Sequence, residues 1–166
     1  MRPSSKEIID GISWVLNNRV APHATEAWAA SSLRSVAGLL KHLSVRVESE
    51  GQILSEDNSD LRALLMNVAA RLGDGSGTSQ WTAEVRASLD KEWRATGSYP
   101  TVGSLEEENY ALNSHLEKFM HLLHDAGAGI RESETTEIEA DVGAYLKRQM
   151  ERERPLYNPP FTGPPF

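Results

Sequence analysis

No cysteine occurs among the 166 residues, which excludes a disulfide framework, a Cys-containing zinc site and a thiol nucleophile. No apolar run approaches the ~20 residues that span a bilayer. The first twenty residues do not read as a signal peptide, because Asp10, Asn17, Asn18 and Arg19 interrupt their apolar stretch. Basic residues are in deficit: 17 Lys and Arg stand against 24 Asp and Glu, a formal charge of -7. A nucleic-acid surface needs clustered cations to neutralise phosphate, so this balance argues against one. Charges of both signs are interspersed, which suits a soluble, cytoplasmic protein.

Catalytic signatures are missing too. No serine sits in a glycine-framed elbow with strand context. The run GDGSG at 73–77 has neither a preceding strand nor a following Lys-Ser/Thr, so it reads as a loop and not as a phosphate cradle. The Glu-x-x-His pattern of carboxylate-bridged metal bundles is absent from the sequence. No catalytic residue, metal ligand or cofactor is therefore assigned. A chain of this length buries roughly 70% of its unfolded surface, so its core needs no covalent staple.

What is present is a repeated seam. LSEDNSDLRALLMNVAARL at 54–72 and LEEENYALNSHLEKFMHLL at 105–123 superpose at an offset of 51. Leu54, Glu56, Asn58, Leu61, Leu65 and Leu72 then fall on Leu105, Glu107, Asn109, Leu112, Leu116 and Leu123. Asp57 meets Glu108, and Val68 meets Phe119. Apolar positions step by 4, 3, 4, 3, 4, the spacing of a helix that packs along another. An Asn holds the second seam position in both copies.

The remaining chain reads as helices and breaks. A first helix over 4–19 is capped by Ser4 or Ser5 with Glu7 in its first turn, and it carries Ile8, Ile9, Ile12, Val15 and Leu16 on one stripe. Trp14 falls off that stripe and reads as a wedge against a neighbouring element or a contact surface. Ala21-Pro22 breaks the pattern. A helix over 23–49 should bury Ala29, Leu33, Val36, Leu40, Leu43 and Val47, with a turn at Ser49–Gly51. Further helices are expected over 55–72, 78–95 (Trp81, Val85, Leu89 and Trp93 inward), 104–126 (a Ser104/Glu107 capping box) and 133–153 (Ile138, Val142, Tyr145, Gln149 and Met150 inward). The last segment, PLYNPPFTGPPF at 155–166, holds five of the eight prolines and should run extended.

The fold class is thus all-α: an up-down bundle of five to six helices over 1–154 with an internal pseudo-repeat, followed by a Pro/aromatic tail. The repeat helices should be parallel, with Asn58 and Asn109 in one core layer, hydrogen-bonding each other and fixing register. On that reading, replacing both by Leu raises stability. The alternative is a small-molecule-binding or enzymatic bundle with a polar pocket around Asn58 and Asn109, with Glu108 and His115 as further candidate ligand-binding residues. His115 and His124 flank the second seam on opposite sides and do not converge on one ion. Trp14, Tyr157, Phe161 and Phe166 are the candidate interaction residues, since aromatics on a pre-extended segment anchor well at interfaces.

RPSSKEIIDGISWVLNNRVAP near the start, followed by VAGLLKHL, resembles the opening of a family of small bacterial helical proteins without assigned function. Members of that family are often encoded beside aminoglycoside-phosphotransferase-like kinases and acyl-CoA dehydrogenases. The likeness lies in a first helix ending near a Pro, a Val-Ala-x-x-Leu core in the second helix, and Asn158-Pro159 near the end. It covers about the first third of the chain plus that dipeptide. Gly38 and Leu39 depart from the family's Asn-x-Leu, and the tail here is longer. The resemblance carries no catalytic residue across. It implies an accessory role beside a metabolic enzyme. The expected function is a non-catalytic helical accessory or interaction subunit, as a homo-oligomer or in a complex with an enzyme subunit, without nucleic acid or membrane.

Overall fold

The computed structural model describes residues 2–73, 77–91, 93, 99–124 and 130–157. The described chain is an all-α helical bundle: α1 (Ser5–Val15), α2 (Ala27–Leu72), α3 (Ser79–Asp90), α4 (Val102–Leu123) and α5 (Glu132–Tyr157). No helix among the described residues is long and apolar enough to cross a membrane. Where the sequence suggests one bundle over 1–154, the chain groups into two compact units. One comprises the residues up to Gly51 with the chain from Glu153 onward, and the other runs Gln52–Arg152.

In the first unit, Ser4 and Glu7 form the capping box that opens α1: the Glu7 amide donates to Ser4 Oγ at 3.2 Å and the Ser4 amide to Glu7 Oε2 at 2.7 Å. Pro22 has no N–H and its ring crowds the preceding turn. The helix widens ahead of it into a π turn over Leu16–Val20 and closes in a tight 3-10 turn at Ala21–His23. Asn18 Nδ2 donates to the Trp14 carbonyl at 2.8 Å, supplying a partner where the helical ladder shifts. α1 lies antiparallel to the first half of α2. Lys6 reaches Ser44 and Glu48, while Leu16 and Ala21 lie by Ala30, Leu33 and Ala37.

Two expectations fail in this unit. The turn at Ser49–Gly51 does not exist, because α2 is one helix through Gly51. Glycine in mid-helix costs about 1 kcal/mol against alanine. Local contacts offset it: Ser49 Oγ donates to the Val45 carbonyl at 2.7 Å, Arg46 pairs with Glu50, and Gln52 Nε2 donates to Glu56 at 2.8 Å. The face expected to be buried is also largely open. Of the first unit's described apolar side chains only Ile9 and Leu156 are buried, and Val36, Leu43 and Val47 are exposed. A seam of this spacing needs cover on both flanks, and α1 covers one.

The second unit is an up-down four-helix bundle built from α2 beyond Gln52, α3, α4 and α5 as far as Arg152. Direction follows from the side-chain pairs. Arg62 Nη1 donates to the Leu89 carbonyl while Thr82 Oγ1 points to Gly73, so α3 runs back along α2. Arg62 joins the Leu89 carbonyl to Glu108 near the start of α4, and Lys118 further along α4 pairs with the earlier Glu84, so α4 reverses again. Arg71 pairs with Glu137 and Asp141 at one end, and Asp60 with Arg148 at the other, so α5 returns. The two repeat helices are therefore parallel. Leu61, Leu65, Val68, Leu112, Leu116 and Phe119 fill one core with Trp81, Val85, Ile138, Val142 and Tyr145.

Helix ends differ from expectation in three places. α3 stops at Asp90, and Trp93 lies beyond it with Lys91 Nζ 3.7 Å from its ring centroid. α4 is capped by Thr101, whose Oγ1 accepts from the Ser104 amide at 3.1 Å, so Ser104 is not the cap. α5 continues through Pro155 to Tyr157, against the expected extended run from 155. Pro155 has no N–H for the Glu151 carbonyl, a single bond lost where the helix is about to end. Burial of Leu156 and a 3.2 Å bond from the Tyr157 hydroxyl to Glu153 hold that turn. Met150, expected inward, is exposed.

Candidate functional site

The polar layer of the second unit is the densest cluster of chemistry among the described residues. Asn109 Nδ2 donates to Asn58 Oδ1 at 2.8 Å, so the amides at equivalent repeat positions do meet. Asn58 Nδ2 passes on to the Leu105 carbonyl at 2.9 Å, and Asn109 Oδ1 accepts from Asn113 Nδ2 at 2.9 Å.

The centre of the layer, however, is Asp57, which is buried. Its Oδ2 accepts from Asn109 at 2.8 Å, from the Tyr145 hydroxyl at 3.2 Å and from Gln149 Nε2 at 3.2 Å. Its Oδ1 accepts from Arg152, which also holds Asp60. An ionised carboxylate offers about four lone-pair sites, and here four donors occupy them. The aspartate is close to saturated. Burial, and then the charge of Asp57, push the Tyr145 hydroxyl well above its ordinary range, so it stays a donor at any ordinary pH. Arg148 adds a bidentate pair to Asp60, 2.9 Å on both arms.

The second copy repeats the device with different partners. Glu108, equivalent to Asp57, is buried and pairs with Arg62, which continues to the Leu89 carbonyl at 2.9 Å. Glu56 and Glu107 remain exposed. Of the four candidate ligand-binding residues, Asn58 and Asn109 are brought together, Glu108 turns to Arg62, and His115 lies elsewhere. His115 is six residues past Asn109, a rise of about 9 Å, and its carbonyl accepts Trp81 Nε1 at 2.9 Å. Every buried side-chain N or O of the Asp57 cluster has a partner; among the described residues only His115 Nδ1 and Asp141 Oδ2 lack a hydrogen bond. The amides of the layer are thus engaged with one another, with Asp57 and with the Leu105 carbonyl.

Sequence reasoning missed Arg152, Arg148, Asp60, Tyr145 and Gln149 as members of this cluster. The available signal was the run of inward positions on the last helix, where Gln149 follows Tyr145 by one turn. Elsewhere, a groove of about 480 Å³ runs past Gln80, Trp81, Glu84, Lys118 and His121. Its Glu84 and Lys118 are paired with each other at 3.1 Å. No three His, Asp or Glu side chains among the described residues converge as metal ligands.

Two groups set an acid response. Burial, followed by Lys118, holds the His115 imidazole below its ordinary value, with Glu84 opposing. The native state thus resists a proton that the unfolded chain accepts, so stability is full above pH ~6.5 and declines as pH falls below it. Asp60 is held low, first by its hydrogen bond from Arg148; its share persists until pH falls through about 4 toward the native value. Urea midpoints measured from pH 8 to 3 should show a shallow decline and then a second one. His115→Gln should remove the first and Arg148→Met should shrink the second, since Arg152 still faces Asp60. A wild-type midpoint flat between pH 7 and 5 would contradict the first assignment.

The candidate interaction residues are separate. Trp14 is 55% exposed, with the Arg19 guanidinium 5.8 Å from its ring centroid, so it is not a core wedge. Tyr157 closes α5 and is exposed, its hydroxyl pushed up by the Glu153 carboxylate. Phe161 and Phe166 lie outside the described residues. Compared with protein-family models, curated proteins and solved structures, the chain matches none.

Proposed function

We propose that the chain is a non-catalytic helical interaction subunit that works beside a metabolic enzyme. One observation carries this reading: the first unit leaves large apolar side chains in solvent, Trp28 at 79% exposed among them, while the polar residues of the second are engaged with one another. Tryptophan on a surface is the commonest anchor of binding energy, and contiguous apolar exposure marks interaction sites. The enzyme side of the proposal rests on the sequence resemblance, which implies a kinase-like or dehydrogenase-like neighbour.

Co-expression with those two enzymes, followed by gel filtration, tests it. A co-eluting complex is expected, lost on Trp28→Ser or Trp14→Ser with the helical circular-dichroism signal unchanged. A chain that elutes apart from both enzymes, and a first unit that binds no hydrophobic dye, would overturn it.

A further inference from the structure

α1 and the first half of α2 form an antiparallel helix pair within the first unit. At about 100° per residue, Lys6 lies about 60° from Ile9 on the α1 wheel, and Glu48 lies about 60° from Leu33 on the α2 wheel. In antiparallel helices wheels turn in opposite senses, so equal offsets fall on one side, as the Lys6–Glu48 pair shows. Ile8, Ile12 and Val15 lie about 60–120° from Ile9 in the other sense. Val36, Leu43 and Val47 lie about 40–80° from Leu33 in that same sense, with Leu39 further round. Both sets therefore form one continuous flank across the two helices. Its seven aliphatic side chains are each between 41% and 67% exposed.

We infer that this flank packs against the same flank of a second copy of the chain, two helical hairpins closing a four-helix core about a two-fold axis. The inference rests on the interaction-subunit reading and names one of its partners. Size supports it: the α2 seam that borders the flank is about 27 Å long from Ala29 to Val47, and the flank is two helices wide at 8–10 Å between axes. That is comparable to the ~800 Å² per partner of a stable interface. Spacing supports it as well, since Ala29, Leu33, Val36, Leu40, Leu43 and Val47 step by 4, 3, 4, 3, 4, a seam that interlocks with a copy of itself.

Charge decides between a like and an unlike partner. The chain carries a formal -7, which opposes self-association in general. Yet none of the seven flank residues is charged, as at interface centres. The ions at its border on α2, Arg46 and Glu50, are already paired with each other. The seven flank residues therefore offer an unlike partner no charge to read.

Sedimentation equilibrium of the full chain tests this, with Leu39→Glu, Leu43→Glu and, as a control on exposed Tyr110 of α4, Tyr110→Glu. We expect a dimer with Kd of about 1 µM or tighter, weakened at least ~100-fold, some 2.7 kcal/mol, by either leucine change and unaffected by the control. Since the chain has no cysteine, Leu43→Cys should also give an oxidised dimer that Tyr110→Cys does not. A dimer indifferent to both leucine changes overturns the inference. So does a monomer whose flank binds hydrophobic dye only after Phe161→Ser with Phe166→Ser, which would assign the flank to the chain's own C-terminal segment. A monomer that binds dye as it stands overturns the second copy but leaves the interaction reading in place. A monomer that binds no dye in either form removes both.

Discussion

Asp57→Ala should destabilise the second unit by about 3–5 kcal/mol, the cost of breaking a buried ion pair by removing one partner. Arg152 would lose the carboxylate that faces it, and the donors of Asn109, Tyr145 and Gln149 would lose their shared acceptor. Asp57→Asn keeps the shape, but its amide brings a donor where four donors already converge, so it should recover little. Arg152→Met alone should also be costly, whereas Asp57→Leu with Arg152→Met should be milder than the sum of the two, since neither charge is then left alone. Urea unfolding of the four variants checks this; an Asp57→Ala protein within ~1 kcal/mol of wild type would show that water reaches the layer.

The same geometry reverses the expectation for the asparagines. As an isolated amide pair, Asn58 and Asn109 would be an interruption that Leu could repair. As donors and acceptors to Asp57, Leu105 and Asn113, they complete a charged network. Their joint replacement by Leu should therefore lower stability by about 1–3 kcal/mol.

Trp81→Ala should cost about 3–5 kcal/mol, the range for emptying a large aromatic site in a packed core. Trp81 is buried, its ring lies 4.7 Å from that of Phe119 by centroid, and its N–H serves the His115 carbonyl. α3 is the shortest helix of the second unit, and it enters the core through Trp81 and Val85. Loss of the indole should thus detach α3 first: amide exchange across Ser79–Asp90 should quicken more than in α4. Trp81→Phe keeps the ring contact and forfeits the hydrogen bond, so about 1 kcal/mol is expected. Uniform exchange across the bundle in Trp81→Ala would deny α3 this dependence.

The parallel repeat helices were legible because periodicity and the 51-residue offset act on the same positions: Leu61 with Leu112 and Val68 with Phe119 are buried in both copies. Asn58 meeting Asn109 followed from that offset alone. Partners of Asp57 were not legible, because Arg152 and Tyr145 lie 95 and 88 residues away and no local pattern ties an Arg to an acid on another helix. Gly51 misled for the opposite reason. It carries a turn signal, but side-chain pairs at Arg46/Glu50 and Gln52/Glu56, which single-residue propensity ignores, support the helix on either side of it. The open flank on α1 and α2 has the seam spacing of a buried one, and spacing does not reveal how many neighbours a helix has.

The reach of the Asp57 network also sets an order of events at the ribosome. Asp57 and Asn58 are made early, Asn109 about 50 residues later, and the guanidinium that closes the carboxylate only at Arg152, a separation of 95 residues. Until then the nascent α2–α4 segment holds an acid that is better hydrated than buried. Premature docking of those helices is disfavoured by that carboxylate. The core can shut only once α5 has emerged and delivered its cation, so α5 acts as the latch on α2.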